Sequence, residues 1–222
     1  VAALDASGHD RLPALIVGAS NRQGCGVGTS WEEAAACSGV EAPSIDPDAT
    51  SVIAFSSGTT GRPKGCMLSL RMLSAQVAAW STWVGLNHGS ASLISLPLFH
   101  VAGMQTGMNA SVHVGSTMVL GGPWEEPGFE ALSRKHRLTH WVGTTTMAVD
   151  LVGDPLAAEA DYSSFRMMGG GGAPMPDALA QRFRTLTGHD YIDGYGLTET
   201  SGAVLLNPAG APGRGSVGKP VF

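Results

Sequence analysis

Short apolar runs alternate with longer amphipathic stretches along most of this chain, and that alternation restricts the fold more than any other feature. Strands read at 12–17, 51–55, 91–95, 116–120, 139–142, 165–168 and 190–193. Helices read at 69–84, where Leu70, Leu73, Val77 and Trp80 share one face, and at 103–113, 127–137 and 176–187. Ser30-Trp31-Glu32-Glu33 has the form of a capping box and predicts a further short helix through Cys37. Strand–helix–strand units pack side by side in parallel, so the expected class is α/β: a mainly parallel sheet flanked by helices. The Pro- and Ser-bearing stretch 42–48 is a linker by composition. It divides a leading segment and linker, 1–48, from a core, 49–222.

Composition excludes several classes. Only 14% of the 222 residues are charged, and glycine occurs 31 times, roughly double its ordinary share of about 7%. Such a chain is well buried and punctuated by turns. A net charge of −5 with no basic stripe argues against a nucleic-acid partner. Cys25, Cys37 and Cys66 form neither a CxxC pair nor an even framework, so a reducing, cytoplasmic setting is expected. No stretch reaches the roughly 18 apolar residues of a membrane span. Val1 in place of Met, and an end at Phe222 with no closing helix, predict a segment of a longer protein.

Parallel sheets hold ligands beyond the carboxyl ends of their strands, here the loops after Phe55, Ser95, Met168 and Asp193. The first reads Ser56-Ser57-Gly58-Thr59-Thr60-Gly61-Arg62-Pro63-Lys64-Gly65. Glycines turn backbone N–H groups inward, hydroxyls add donors and Lys64 adds charge, as a polyphosphate requires. A Walker A loop does not fit. Counted from Gly58, its second glycine falls on Pro63, and Gly65 stands where Ser or Thr must follow the lysine. Two other patterns fail as well. His136 and His140 lack the glutamate of a zinc helix, and Gly24-Cys25-Gly26-Val27-Gly28-Thr29 carries Thr at the last glycine of a dinucleotide fingerprint. Trp80 and Trp83 read as core packing.

The phosphate loop resembles the signature of the adenylate-forming superfamily: acyl-CoA synthetases, amino-acid adenylation domains and luciferases. Three further segments follow in order. Pro97-Leu98-Phe99-His100-Val101-Ala102-Gly103 is similar to the acid-pocket motif of acyl-CoA synthetases. Gly169-Gly170-Gly171-Gly172-Ala173-Pro174 resembles the loop lying against adenine, and Asp193-Gly194-Tyr195-Gly196-Leu197-Thr198-Glu199-Thr200 the Tyr-Gly-x-Thr-Glu motif. Together they cover about residues 50 to 200.

The resemblance implies an enzyme that joins a carboxylate to AMP and passes the acyl group to the thiol of coenzyme A, with ATP and Mg²⁺. Because the carboxylate is itself the nucleophile, no catalytic serine is needed, and no G-x-S-x-G elbow occurs. It assigns Lys64 and the loop Ser56, Ser57, Gly58, Thr59, Thr60 and Gly61 to the β- and γ-phosphates. Thr198 goes to the α-phosphate and Glu199 to Mg²⁺. Tyr195, Gly172, Ala173 and Pro174 border adenine, with Asp193, Gly194 and Gly196 also at the nucleotide. His100 would line the acid pocket beside the carboxylate. No Asp near Phe99-His100 offers a partner for an α-ammonium, and Val101, Gly103, Met104 and Met108 offer apolar walls, so a fatty acid is expected, with an aryl acid as the alternative.

The chain departs from the family at Leu70, where histidine is common. Set against the resemblance, residues 1–222 also stop short of the ribose-binding Asp motif and of the C-terminal domain with its lysine, so that domain is expected to be absent from this segment. The expectation is therefore the ATP- and acyl-binding core of an acid–thiol ligase, with apolar surface open to self-association. A non-catalytic nucleotide- or acyl-binding module, or a luciferase-like oxygenase, shares the same motifs.

Overall fold

A computed structural model describes residues 14–16, 28–30, 44–56, 62–122, 124, 128–213 and 215–221. The chain divides into two units, Val1–Ile45 and Asp46–Phe222. In the first, β1 (Ala14–Ile16) pairs in parallel with β2 (Gly28–Ser30), Ala14 opposite Gly28. The capping-box reading places Ser30 at a helix start. Ser30 ends β2, and residues 31–37 lie outside the described residues.

The second unit opens with a hairpin where the sequence predicted a strand of the parallel sheet followed by a long loop. Among the described residues β3 (Thr50–Ser56) pairs only with β4 (Lys64–Ser69), and the two are antiparallel. Alternation explains the pairing: Ala54 and Leu68 turn inward and are buried, while Ile53, Phe55 and Met67 are exposed. Lys64 and Gly65 therefore belong to a strand, with Lys64 opposite Ser56. The β4 run is only Cys66-Met67-Leu68 between polar residues, too short to be seen by periodicity.

Helix α1 (Leu70–Val84) follows directly. Ser69 caps it by accepting from the Met72 N–H at 3.3 Å, and Gly85 at φ +69° ends it. The main sheet comprises β5 (Ala91–Ile94), β6 (Thr117–Leu120), β7 (His140–Thr144), β8 (Met167–Gly171), β9 (Ile192–Leu197), β10 (Gly202–Leu206) and β11 (Lys219–Pro220). Its order is β11-β10-β9-β8-β7-β5-β6, parallel from β9 to β6, with β10 and β11 antiparallel. This is the expected α/β class.

Several elements run differently from expectation. The helix expected at 103–113 starts as a π-helix, Ala102–Asn109, and becomes α-helical only in α2 (Ala110–Val114). Strands expected to stop at 168 and 193 continue through Gly171 and Leu197, so most of two motifs expected in loops is extended strand. Helix α3 (Phe129–His136) and α5 (Asp177–Thr187) match expectation. The helix α4 (Thr145–Gly153), capped by Thr144, and strand β10 were not foreseen.

Alternate residues of each strand face opposite ways. Trp141, Met168 and Tyr191 join Phe129, Leu151, Phe165 and Phe183 in one core beneath α3, α4 and α5. Val142, Met167 and Ile192 face the opposite way, toward Val77 and Trp80 of α1 and Ala110 of α2.

Candidate functional site

A cavity of about 560 Å³ opens at the carboxyl ends of β7, β8 and β9. Trp80, Phe99, Val101 and Leu206 give it apolar walls, and His100, Thr198 and Glu199 give it polar corners.

Its floor carries no side chains, for a steric reason. A Cβ on Gly170 would stand 1.7 Å from the Gly143 carbonyl oxygen, and one on Gly171 would stand 2.6 Å from that of Gly194. Glycine lets three neighbouring strands lie close while leaving the space above them open. Gly172, at φ +93°, then turns the chain out of β8. The Thr145 hydroxyl holds the outgoing segment by donating to the Ala173 carbonyl at 2.7 Å, and the Met175 N–H donates to Asp193 Oδ2 at 3.2 Å. Burial pushes the half-buried Asp193 carboxyl above its ordinary range, and the Met175 N–H offsets part of that rise.

The acid-pocket motif is folded just as tightly. A Cβ on Gly103 would lie 2.3 Å from the Pro97 carbonyl oxygen, so only glycine lets the π-helix press against the end of the preceding segment. The His100 N–H donates to Pro97 O at 3.1 Å, and the Ala102 N–H donates to His100 Nδ1 at 3.1 Å. With Nδ1 accepting, the neutral ring carries its proton on Nε2.

Thr198 and Glu199 occupy the turn between β9 and β10, closed by the pairing of Leu197 with Gly202. Thr200 Oγ1 accepts from the Leu197 N–H at 2.9 Å and lies 2.8 Å from the Gly202 carbonyl, to which it donates. Burial pushes the Cys66 thiol above its ordinary value, and the Glu199 charge adds to that rise.

The structure thus brings Ser56, His100, Gly172, Gly194, Gly196, Thr198 and Glu199 around one cavity. Asp193 instead lines a second depression of about 550 Å³, with Met175, Arg184, Tyr191 and Asn207. Tyr195 is 47% exposed and borders neither. Lys64, Ala173 and Pro174 do not line the main cavity, while Ser57, Gly58, Thr59, Thr60 and Gly61 lie outside the described residues. Sequence reasoning missed Gly143, Thr144 and Thr106, and it read Trp80 as packing only. The Thr-rich run after Trp141 was the available signal, since Thr144 is a helix cap at a strand's carboxyl end.

The donor set is compatible with a hard cation at one carboxylate. Among the described residues no group of three His, Cys, Asp or Glu could enclose a metal. Among the described lining residues Glu199 is the one carboxylate, which suits Mg²⁺, an ion that keeps waters and shares phosphate oxygens. No helix among the described residues is long and apolar enough to cross a membrane.

Comparison with known proteins agrees with the motifs. The chain is 38% identical over 187 residues to a 4-coumarate–CoA ligase-like protein of Arabidopsis thaliana, covering 81% of this chain and 32% of that one. It is 32% identical over 187 residues to a long-chain-fatty-acid–CoA ligase of Bacillus subtilis, 80% of this chain and 32% of that one. It therefore spans about a third of the length of these curated relatives. Among solved structures, an anthranilate CoA ligase in complex with anthranoyl-AMP superposes with a TM-score of 0.82 at 23% identity, over 93% of this chain and 40% of that one. The O-succinylbenzoate coenzyme A synthetase of Bacillus subtilis, solved with ATP and magnesium ion, gives 0.76 at 25%, over 99% and 46%. The sequence matches the family described as AMP-binding enzyme over residues 7–222, and this chain belongs to that family.

Proposed function

We propose that residues 49–222 form the ATP- and acyl-binding core of an acid–CoA ligase. In this reading a carboxylic acid and ATP give acyl-AMP and pyrophosphate, and the acyl group then passes to coenzyme A in a cytoplasmic, reducing setting. One observation carries it: a single apolar-walled cavity has His100 at one corner and Thr198 with Glu199 at another.

The chemistry follows from that arrangement. The acid's carboxylate oxygen attacks the α-phosphorus, and pyrophosphate leaves with the P–O electron pair. No protein nucleophile is required, so the side chains orient and neutralise charge. His100, with its proton on Nε2, orients the carboxylate. The Thr198 hydroxyl donates to the α-phosphate. Lys64, with Ser56, Ser57, Gly58, Thr59, Thr60 and Gly61, holds the β- and γ-phosphates. Tyr195 stacks on adenine, with Gly172, Ala173, Pro174, Asp193, Gly194 and Gly196 as its surroundings. Glu199 holds Mg²⁺, which supplies positive charge against the phosphates when bound.

The apolar walls formed by Trp80, Phe99, Val101 and Leu206 support a fatty acid. The identity to the coumarate ligase-like protein favours an aryl acid as a second reading. Acid-dependent pyrophosphate exchange by the full-length protein, over a panel of fatty and aryl acids, tests both. Exchange with medium or long fatty acids is expected. Exchange with aryl acids alone selects the second reading, and none with any acid overturns the ligase assignment in favour of a non-catalytic binding module.

A further inference from the structure

The turn carrying Thr198 and Glu199 rests on a buried amide that no motif includes. Gln105 is fully buried in the π-helical segment. Its Nε2 donates to the Leu73 carbonyl of α1 at 3.0 Å and to Ser201 Oγ at 3.1 Å, and its Oε1 accepts from Asn109 Nδ2. Every polar atom of the amide is engaged, and it joins three elements at one point. The π-helix adds a residue to the turn, and such insertions cluster at functional sites because they redirect side chains. Here the redirected side chain reaches toward the β9–β10 turn.

Ser201 is an unusual residue to hold. It is 1% exposed and adopts φ +59°, a left-handed conformation that strains any residue except glycine. Its N–H donates to the Thr198 carbonyl at 3.0 Å, so its backbone closes the loop that presents Glu199. Next to it, Gly202 at φ +127° leaves room for a second buried amide, since a Cβ there would meet Gln76 Nε2 at 2.9 Å.

We propose that Gln105 is a positioning residue: by gripping Ser201 Oγ it fixes the strained turn in the conformation that aims Thr198 and Glu199 into the cavity. Because the segment that carries Gln105 begins beside His100, it ties the acid-facing corner of the cavity to the phosphate- and metal-facing corner. The inference rests on the ligase reading above and adds to it two residues, Gln105 and Ser201, that do not touch substrate.

The test measures the Mg²⁺ requirement of acid-dependent pyrophosphate exchange in the full-length protein. Gln105→Met keeps the volume and removes the amide, and Ser201→Ala removes the hydroxyl. Each is expected to raise the half-maximal Mg²⁺ concentration about tenfold, the scale of one lost hydrogen bond, with the acid KM changing less than about twofold. The double variant is expected to be no worse than Gln105→Met alone, because the contact to Ser201 Oγ that Ser201→Ala removes is already lost in that variant. Ser201→Gly removes the hydroxyl but relaxes the backbone. It should melt no lower than wild type and still need about tenfold more Mg²⁺, which a merely structural role would not produce. If Gln105→Met does not fold, the two Ser201 variants decide the question.

An unchanged Mg²⁺ requirement in the Ser201 variants, or a double variant about a hundredfold worse, overturns the positioning role. Glu199→Gln separates this failure from a wider one. If it too leaves exchange unchanged, the ligase assignment of the turn has failed. If it abolishes exchange while the Ser201 variants are normal, only the positioning role has failed.

Discussion

The two faces of the main sheet solve different problems with the same strands. Beneath α3, α4 and α5 the core is a lattice of rings: Trp124 and Trp141 stack at 5.6 Å, Phe129 meets Trp141 edge-on at 5.9 Å, and Phe183 meets Tyr191 edge-on at 5.4 Å. Its buried polar atoms are paired, as where Trp141 Nε1 donates to Ser95 Oγ at 3.1 Å and Ser133 Oγ donates to the Glu130 carbonyl at 2.8 Å. On the α1 and α2 face, packing is looser in its chemistry. The buried side-chain atoms found without a protein partner among the described residues belong to Gln76, Ser81, Ser111 and Ser116, on α1, on α2 and just after α2. The cavity opens on that second face. One face holds the domain together, and the other gives up apolar packing for a site.

Breaking the first face should have the largest effect. Trp141 is fully buried among three aromatic neighbours, Trp124, Phe129 and Phe183, so Trp141→Ala is expected to cost about 3–5 kcal/mol. Thermal melting of the full-length protein checks it, and a loss below about 1 kcal/mol would mean that the rings are not the main support. The reverse experiment touches only the second face. Glu199→Gln keeps shape and removes charge. Pyrophosphate exchange should fall about a hundredfold, near 2.7 kcal/mol of barrier, with melting unchanged. Normal exchange would contradict the metal assignment.

The same contrast explains what was legible in the sequence. The parallel sheet and most helices could be read because the ring-lined face imposes alternation on strands such as 139–142 and an apolar stripe on 176–187. The site motifs were legible as residue types but not as structure. Gly169 to Gly171 looked like a loop because glycine marks turns, whereas here it permits strands to approach to distances a Cβ would forbid. The 51–55 strand reads as part of the parallel sheet and pairs instead in a hairpin, because its partner β4 carries only three successive residues, Cys66, Met67 and Leu68, of apolar character. Gln105 gave no signal at all, since a buried glutamine inside a glycine-bearing helix is defined only by what the fold brings to it.

A smaller prediction sharpens the idea that the second face sacrifices stability. Gln76 is 1% exposed, and among the described residues neither end of its amide has a hydrogen-bond partner. An unpaired buried amide costs about 1–3 kcal/mol, and an apolar side chain of like shape avoids that cost. Gln76→Met should therefore raise stability by about 1 kcal/mol, or roughly 2–4 °C in Tm. A gain in melting temperature together with slower pyrophosphate exchange would show that the amide is retained for the site. A lower melting temperature would show that it is satisfied in solution, and the contrast between the faces would weaken.

The smallest effect concerns how α1 is fastened to the sheet. His140 is buried on the cavity face. Its Nε2 lies 3.0 Å from the Val84 carbonyl, to which it donates, leaving Nδ1 as an acceptor 2.8 Å from Thr139 Oγ1. Burial holds its pKa below the ordinary imidazole value of about 6.5. The bond to Val84 opposes that shift, and the Arg166 charge adds to it. The sign follows from linkage. The unfolded chain takes up a proton near pH 6.5 while the folded one resists, so His140 lowers stability as pH falls through 6.5 toward the folded value. Above that range both states are neutral and the contribution is constant. His140→Gln preserves an N–H donor toward Val84 and removes the titration. It should cost about 0.5–1.5 kcal/mol at pH 8 and flatten the decline in Tm between pH 7 and 5. Melting at a series of pH values checks both, and an equally steep decline in the variant would place the acid sensitivity elsewhere, away from the contact that joins α1 to β7.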